Sequence, residues 1–247
     1  DIAARHPKLF NPAQAVLTVV GDVRQDDVVQ LARKYFEPIP SAQAISPAPA
    51  AAHQLKGETR IYAAADIPRP RVMIAWATPA HYQEGDVALD LVSRVLVGKA
   101  TSLLFWNLDL KNLATETTAR QVSRLAESFF IISTSVANNV SAEQVIDATD
   151  RTVSELLNNF IRGSVFQTAV SDSLLRFCRK DQSLQGRAGV LSSWFVATGQ
   201  EPSAVPRIGA FAALTSFQVT QTAQRYLGPD RVVLVVQPDP RAPRAGE

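Results

Sequence analysis

The segment PDRVVLVVQPD, residues 229–239, indicates a repeated structural unit because it has a near-copy in PAQAVLTVVGD, residues 12–22. Residue 229 aligns with residue 12, and Pro, Val, Leu, Val and Asp recur at the same five of eleven positions. Both copies are apolar, strand-forming runs bounded by turn residues. Internal repeats mark repeated structural units. We therefore predict that residues 1–40 are the closing strand and helix of a preceding domain, and that residues 58–240 form a complete second copy.

The residues between the two copies support this division. RQDDVVQLARKYF, residues 24–36, places Val28, Leu31 and Tyr35 on one helical face, with two Asp residues at the dipole-favoured start. This pattern predicts an amphipathic helix that packs on a sheet. Residues 41–57 are rich in Pro, Ala and Ser and lack a stable period, which is typical of an extended linker. Residues 241–247 are interpreted as a tail.

The second copy contains strands first, then helices, a hairpin, more helices and a last strand. Strands are predicted at residues 58–66 and 71–79, and the hairpin pairs residues 115–122 with 127–136. The middle strand is expected to be covered on both faces. Helices are predicted at residues 85–98, from 102, and at 141–160, 164–180, 186–198 and 215–226. This order predicts an α+β fold, with helices packed on one face of a largely antiparallel sheet.

Composition excludes several classes of protein. The formal net charge is +2 with Lys and Arg scattered along the chain, so we expect no nucleic-acid partner. No run of about 18 apolar residues is present, so no membrane span is expected. Cys178 is the single cysteine, which excludes an internal disulfide and a cysteine-based zinc cluster. The first residue is Asp1 rather than Met, which leaves room for an upstream leader or domain.

Four segments resemble the pitrilysin/insulinase family of zinc metallopeptidases, including the mitochondrial processing peptidase type. They are NPAQAVLTVVGDVRQDDVVQLARKYFEPIP (11–40), PRVMIAWATPA (70–80), GDVALDLVSRVLVGKATSLLF (85–105) and LTSFQVTQTAQRYLGPDRVVLVVQPDP (214–240). They occur in the family's order and span almost the whole chain. The resemblance implies a subunit with two similar α+β domains, of which this chain holds the second and the end of the first.

The zinc motif that the resemblance implies is missing. Enzymes of the family use HxxEH, with two His ligands and a Glu general base, and a later Glu as third ligand. The histidines here are His6, His53 and His81, and none has another His within a helical turn. We therefore predict no catalytic residue, no metal ligand and no cofactor in this chain, and we expect zinc in the full-length protein or its partner.

A second feature of the family is also altered. Its second domain often contributes an Arg and a Tyr to substrate binding, in a pattern like SRLxxxLRExxGLAY. The matching stretch is SLLFWNLDLKNLAT, residues 102–115, with Asp109 in place of the Arg and Thr115 in place of the Tyr. A carboxylate cannot donate a hydrogen bond to a developing oxyanion. The substrate-binding residues thus remain unknown, and we expect Asp109 to be a solvated helix residue and Thr115 to begin a strand.

Other constellations are disfavoured. Ser102, Asp109 and His81 lack a nucleophile elbow such as GxSxG, and GKATS at residues 98–102 lacks the upstream Gly of a phosphate loop. The three tryptophans, Trp76, Trp106 and Trp194, are interpreted as core or interface aromatic residues.

The main functional hypothesis is a non-zinc-binding domain of a zinc metalloendopeptidase, inactive alone, that helps form a peptide-binding chamber. Its expected partners are a peptide substrate and an N-terminal catalytic domain or homologous subunit, with a dimer possible in principle. The alternative is a non-catalytic binding or scaffold subunit that requires an HxxEH-bearing partner. Arg outnumbers Lys by 19 to 6, which suggests a GC-rich bacterial genome. Since bacterial relatives are often exported, we expect a periplasmic protein, with the cytoplasm as alternative.

Overall fold

The computed structural model describes residues 12–40, 55–98, 102–201, 203 and 205–242. The chain divides into two compact units, one of residues 1–50 and 177–206 and one of residues 51–176 and 207–247. In chain order the elements are α1 (Gln25–Phe36), β1 (Glu58–Ala65), β2 (Arg71–Thr78), α2 (Asp86–Leu96), a π-helical turn (Phe105–Asp109), β3 (Ala114–Val122), β4 (Ser128–Val136), α3 (Ala142–Asn158), α4 (Gly163–Gln182), α5 (Leu184–Thr198), α6 (Val205–Ala213), α7 (Ser216–Tyr226) and β5 (Arg231–Pro238).

The second unit is built on a five-stranded sheet with the order β1-β5-β2-β4-β3. β2 lies in the middle and pairs antiparallel with both β4 and β5, so that Ile74 is opposite Ile132 on one side and Val233 on the other. β3 and β4 form the predicted antiparallel hairpin, whereas β1 and β5 are parallel. The largely antiparallel sheet is therefore confirmed, with one parallel pair at its edge.

The core lies between this sheet and one layer of helices. Along β2 every second side chain is buried, including Val72, Ile74 and Trp76, and α2, α3 and α7 supply the opposing apolar residues. The indole N–H of Trp76 donates a hydrogen bond from Nε1 to the Gly228 carbonyl at 2.8 Å. The expectation that β2 is covered on both faces is wrong, because its alternate residues from Met73 to Ala77 are half-exposed. Helices on a single face leave them accessible.

Polar contacts fix the ends of the helices and the edge of the sheet. The predicted capping boxes are present at α3 and α7, where Ser141 and Thr215 each accept from the backbone of a Gln three residues later. At the sheet edge, Arg231 bridges Asp150 of α3 and Glu58 of β1. Hydrogen bonds from Arg60 and Arg231 lower the pKa of the Glu58 carboxyl. These ion pairs join the parallel strand pair to the helix layer.

The first unit contains α1 and α5, and its predicted strand does not form. Residues 15–20, the counterpart of β5, have no regular structure. A strand requires a neighbour for its backbone groups, and these residues have no ladder partner among those described. α1 forms as predicted, but none of its residues is buried. The assignment of residues 1–40 to a preceding domain stays a prediction, and much of the predicted linker and tail lies outside the described residues.

Two further elements differ from the expectations. The short helix predicted from Ser102 is a π-helical turn over Phe105–Asp109. α6 was not predicted, because Pro206 and Gly209 are poor helix formers and hide its pattern.

The alternating burial of β4 yields a matched pair of substitutions. We expect Phe130→Ala, at a fully buried site, to lower the free energy of unfolding by about 3–5 kcal/mol. The neighbouring Phe129 is 37% exposed on the other face, so Phe129→Ala should lower it by about 1 kcal/mol. Urea unfolding of the two variants measures both values, and equal losses would contradict the burial pattern.

A second prediction concerns the capping box of α3. We expect Ser141→Ala to lower the free energy of unfolding by about 1 kcal/mol, because the amide of Gln144 loses its acceptor at 3.2 Å. Thr168→Ala, inside α4, is the control, since its hydroxyl bonds only to the carbonyl of Ser164 and should change stability by less than about 0.5 kcal/mol. Urea unfolding again provides the measurement.

Candidate functional site

The π-helical turn gives the second unit its most unusual backbone feature. The amide of Leu110 donates to the carbonyl of Phe105 at 2.9 Å, and that of Leu113 donates to Leu108 at 2.9 Å, so both bonds span five residues. Asn112, between them, has a φ of 56° and turns the chain into β3. π-helical turns are rare and occur frequently at functional sites. The wider turn leaves Trp106 53% exposed, with Phe105 packed edge-on against it.

A groove of about 700 Å³ lies beside this turn, and we call it the turn groove. Its apolar part is formed by Val95, Leu103, Trp106, Leu156, Phe160, Ile161 and Val165. Its polar part is formed by Asn107, Glu155, Asn159 and Arg162. Phe160 is 72% exposed, which is unusual for so large an apolar side chain. An apolar surface with a few polar groups at its margin is typical of a ligand-binding site.

The polar groups of the turn groove are suited to a peptide. The carboxamide of Asn107 accepts from Lys111 Nζ at 3.2 Å and keeps its N–H donors, and that of Asn159 donates to the Glu155 carbonyl at 2.9 Å and keeps its oxygen. Within the described ranges, neither the Glu155 carboxylate nor the Arg162 guanidinium forms an ion pair. The groove therefore offers donors and acceptors beside an apolar surface.

Asp109 lies at the end of the π-helical turn, outside the lining of the turn groove. It is half-buried and accepts a hydrogen bond from Thr117 Oγ1 at 2.9 Å. Burial raises the pKa of the Asp109 carboxyl, and the Thr117 hydrogen bond opposes part of that rise. The expectation of a solvated helix residue is therefore wrong, since the wide turn directs this side chain towards β3.

Thr115 is exposed in β3, which begins one residue earlier, as expected. Its hydroxyl lies 3.4 Å from the Ser135 carbonyl. Asp109 and Thr115 thus contact different partners, and the prediction that the family's Arg and Tyr roles are lost at these positions stays a prediction.

The histidines have separate surroundings. His6 and His53 lie outside the described residues, while His81 stacks on Tyr82 with 3.8 Å between ring centroids. Arg207 Nη1 lies 3.4 Å from His81 Nε2. Across the described parts of the chain, no group of three or more His, Cys, Asp or Glu side chains could hold a metal ion.

The disfavoured Ser102, Asp109 and His81 triad is not assembled. Ser102 Oγ is buried and has no hydrogen-bond partner among the residues that the structure describes, and Asp109 is bonded to Thr117. Of the phosphate-loop candidate, residues 99–101 lie outside the described residues. Trp76 is a core residue as interpreted, whereas Trp106 lines the turn groove.

The turn groove has no motif in the sequence that would predict it. Its residues come from α2, the π-helical turn, the end of α3 and the start of α4, and no short motif contains them. One local sequence feature points to the groove, which is NFI at residues 159–161. Phe160 follows the end of the amphipathic helix α3 and is therefore not part of the buried face of that helix. Among the described helices, none combines the length and the apolar character that crossing a membrane requires.

Comparisons with known proteins agree with the fold. Residues 1–167 match the family model of the peptidase M16 inactive domain. Zinc protease PqqE of Helicobacter pylori is 29% identical over 171 residues, which are 68% of this chain and 38% of that protein.

Two solved structures show the same fold at low identity. A protease from Helicobacter pylori has a TM-score of 0.80 at 21% identity. The match covers 89% of this chain and 54% of the protease chain. A peptidase M16 inactive domain from Pseudomonas fluorescens has a TM-score of 0.73 at 17% identity. That match covers 92% of this chain and 54% of the Pseudomonas fluorescens chain. This chain thus spans about half or less of these relatives. The family match over residues 1–167 shows that the chain belongs to the peptidase M16 family, the pitrilysin/insulinase family, and contains its inactive domain.

Proposed function

We propose that this chain is the non-catalytic half of a zinc metalloendopeptidase and that the turn groove forms part of its peptide-binding chamber. The observation that carries the proposal is the exposed Trp106 and Phe160 beside polar groups at the margin of the same groove. An extended peptide would place a large apolar side chain on the apolar surface. The carboxamides of Asn107 and Asn159 would bond its backbone.

The described residues do not fit a zinc ion. His81 is next to the Arg207 guanidinium, whose positive charge repels a dication, and no carboxylate and histidine cluster accompanies it. In this proposal the zinc belongs to a catalytic domain or a homologous subunit, which this chain pairs with. Export to the periplasm and a dimeric assembly are parts of the proposal that rest on the sequence alone.

The second candidate is a non-catalytic binding or scaffold subunit that requires an HxxEH-bearing partner. Asp109 favours it, because a half-buried carboxylate bonded to Thr117 stands where the family often has a substrate-binding Arg. The upstream sequence separates the candidates, since an HxxEH motif there supports the peptidase.

The first test compares this chain with a version extended upstream through the preceding domain. We expect elemental analysis to find zinc only in the extended protein, and a quenched-peptide assay to detect cleavage only there. Removal of zinc with a chelator should abolish that cleavage. Cleavage or stoichiometric zinc in the short chain would contradict the proposal, and a zinc-free, inactive extended protein would support the scaffold subunit.

The second test concerns the turn groove in the extended protein. We expect Trp106→Ala to raise KM about tenfold for a peptide with a large apolar side chain, with kcat nearly unchanged, because one apolar contact of about 1–2 kcal/mol is lost. Leu110→Ala is the matched control, since Leu110 is 52% exposed just after the same turn but does not line the groove. Equal effects of both substitutions would argue against the groove as a peptide site.

A further inference from the structure

A buried polar cluster lies at the start of α2, away from the residues of the turn groove. Asp86, the first residue of α2, is fully buried. Its carboxylate accepts from four donors, which are Ser123 Oγ at 2.5 Å, the Tyr82 amide at 3.1 Å, Gln121 Nε2 at 3.4 Å and Arg207 Nη1 at 3.4 Å. The cluster joins the loop before α2, the end of β3 and α6.

Arg207 is the member contributed by α6, at the point where the chain returns to the second unit. Its Nη2 contacts the carboxylate of Asp90, one turn beyond Asp86, and its side chain is 13% exposed. The guanidinium lies 5.4 Å from the ring centroid of Tyr82 and 5.6 Å from that of Phe211. Two carboxylates and two aromatic rings therefore hold one guanidinium.

Apart from the contacts of Arg207, the described residues of α6 bury few apolar side chains. The helix has nine residues, includes Pro206 and Gly209, and is otherwise rich in Ala. Phe211 is its one fully buried side chain among those described. Ala210 and Ala213 line a groove of about 680 Å³ together with the start of α2 and the exposed face of α7. Segments with few buried apolar contacts open locally at low free energy.

We propose that α6 is a lid over the start of α2 and that Arg207, held by Asp86 and in contact with Asp90, is the clasp that keeps it closed. Opening removes Arg207 and Phe211 from their places and increases the exposure of the Asp90 side chain, which is 27% in the closed state. The core strands and α3 keep their packing, because the clasp residues lie at one end of the helix layer.

The charges around Asp90 couple this opening to pH. Burial raises the pKa of Asp90 to about 6, while Arg207 and Arg94 lower it and Asp86 raises it. In the open lid a solvated Asp90 would have its ordinary pKa of about 4. The closed state therefore binds the proton more tightly, so closure is favoured at acid pH and opening increases as pH rises towards 7. His81, whose Nε2 lies 3.4 Å from Arg207 Nη1, is a further titratable side chain that faces the clasp.

Hydrogen exchange of the α6 amides, corrected for intrinsic rates, tests the lid. In the wild-type chain we expect opening to increase about tenfold between pH 5 and pH 7.5. Arg207→Met should increase exchange in α6 at least tenfold at pH 7.5, while β2 and α3 keep their protection. Arg225→Met is the matched control, because Arg225 is an exposed arginine of α7 that lines the same groove.

The variants Asp90→Asn and His81→Gln separate the charges. Asp90→Asn should abolish the pH dependence of α6 exchange, and His81→Gln should preserve or steepen it. Unchanged α6 exchange in Arg207→Met, or an equal increase in β2 and α3, would overturn the lid. If Arg207→Met does not fold, the wild-type and Asp90→Asn profiles decide, since a pH-independent wild-type profile contradicts the proposal.

Discussion

The structure depends on the pairing of β2 with two strands that are distant in sequence. β4 lies on one side of β2 and β5 on the other, so the hairpin and the last strand of the chain meet at Ile74. This pairing brings alternate residues of β2 against the helix layer, where Trp76 and Phe130 pack with 6.2 Å between ring centroids. α2 and α3 are fixed on that layer, and the turn groove lies between the end of α3, α2 and the π-helical turn. The same requirement for a pairing partner explains residues 15–20, which repeat the β5 sequence without forming a strand.

Most of the fold could be predicted from the sequence, because its signals are local. The alternation in residues 71–79, the Ser141 and Thr215 capping boxes and the strand-forming hairpin each specify an element without reference to the rest of the chain. The parallel pairing of β1 with β5 depends on topology instead, and no local pattern distinguishes it. A helix was predicted from Ser102, but its π-helical form was not, because no local pattern distinguishes the two. α6 was not predicted because Pro206 and Gly209 are poor helix formers.

The candidate site was less predictable than the fold. The sequence directed attention to Asp109 and Thr115, and the structure directs Asp109 towards Thr117 rather than towards the turn groove. Trp106 and Phe160 are separated by 53 intervening residues, and only the packing of α3 against the π-helical turn brings both to one groove. Long-range packing, not residue type, determines that site. The groove combines an apolar surface with polar groups at its margin, which is the lining on which the proposal of a peptide site rests.

Whether this chain completes a peptidase whose zinc lies in an upstream part can be measured by reconstitution in trans. The upstream part would be produced alone, mixed with increasing amounts of this 247-residue chain, and assayed for peptide cleavage. We expect little cleavage by the upstream part alone and a rise that saturates near one chain per upstream part. Full cleavage by the upstream part alone, unchanged when this chain is added, would contradict it.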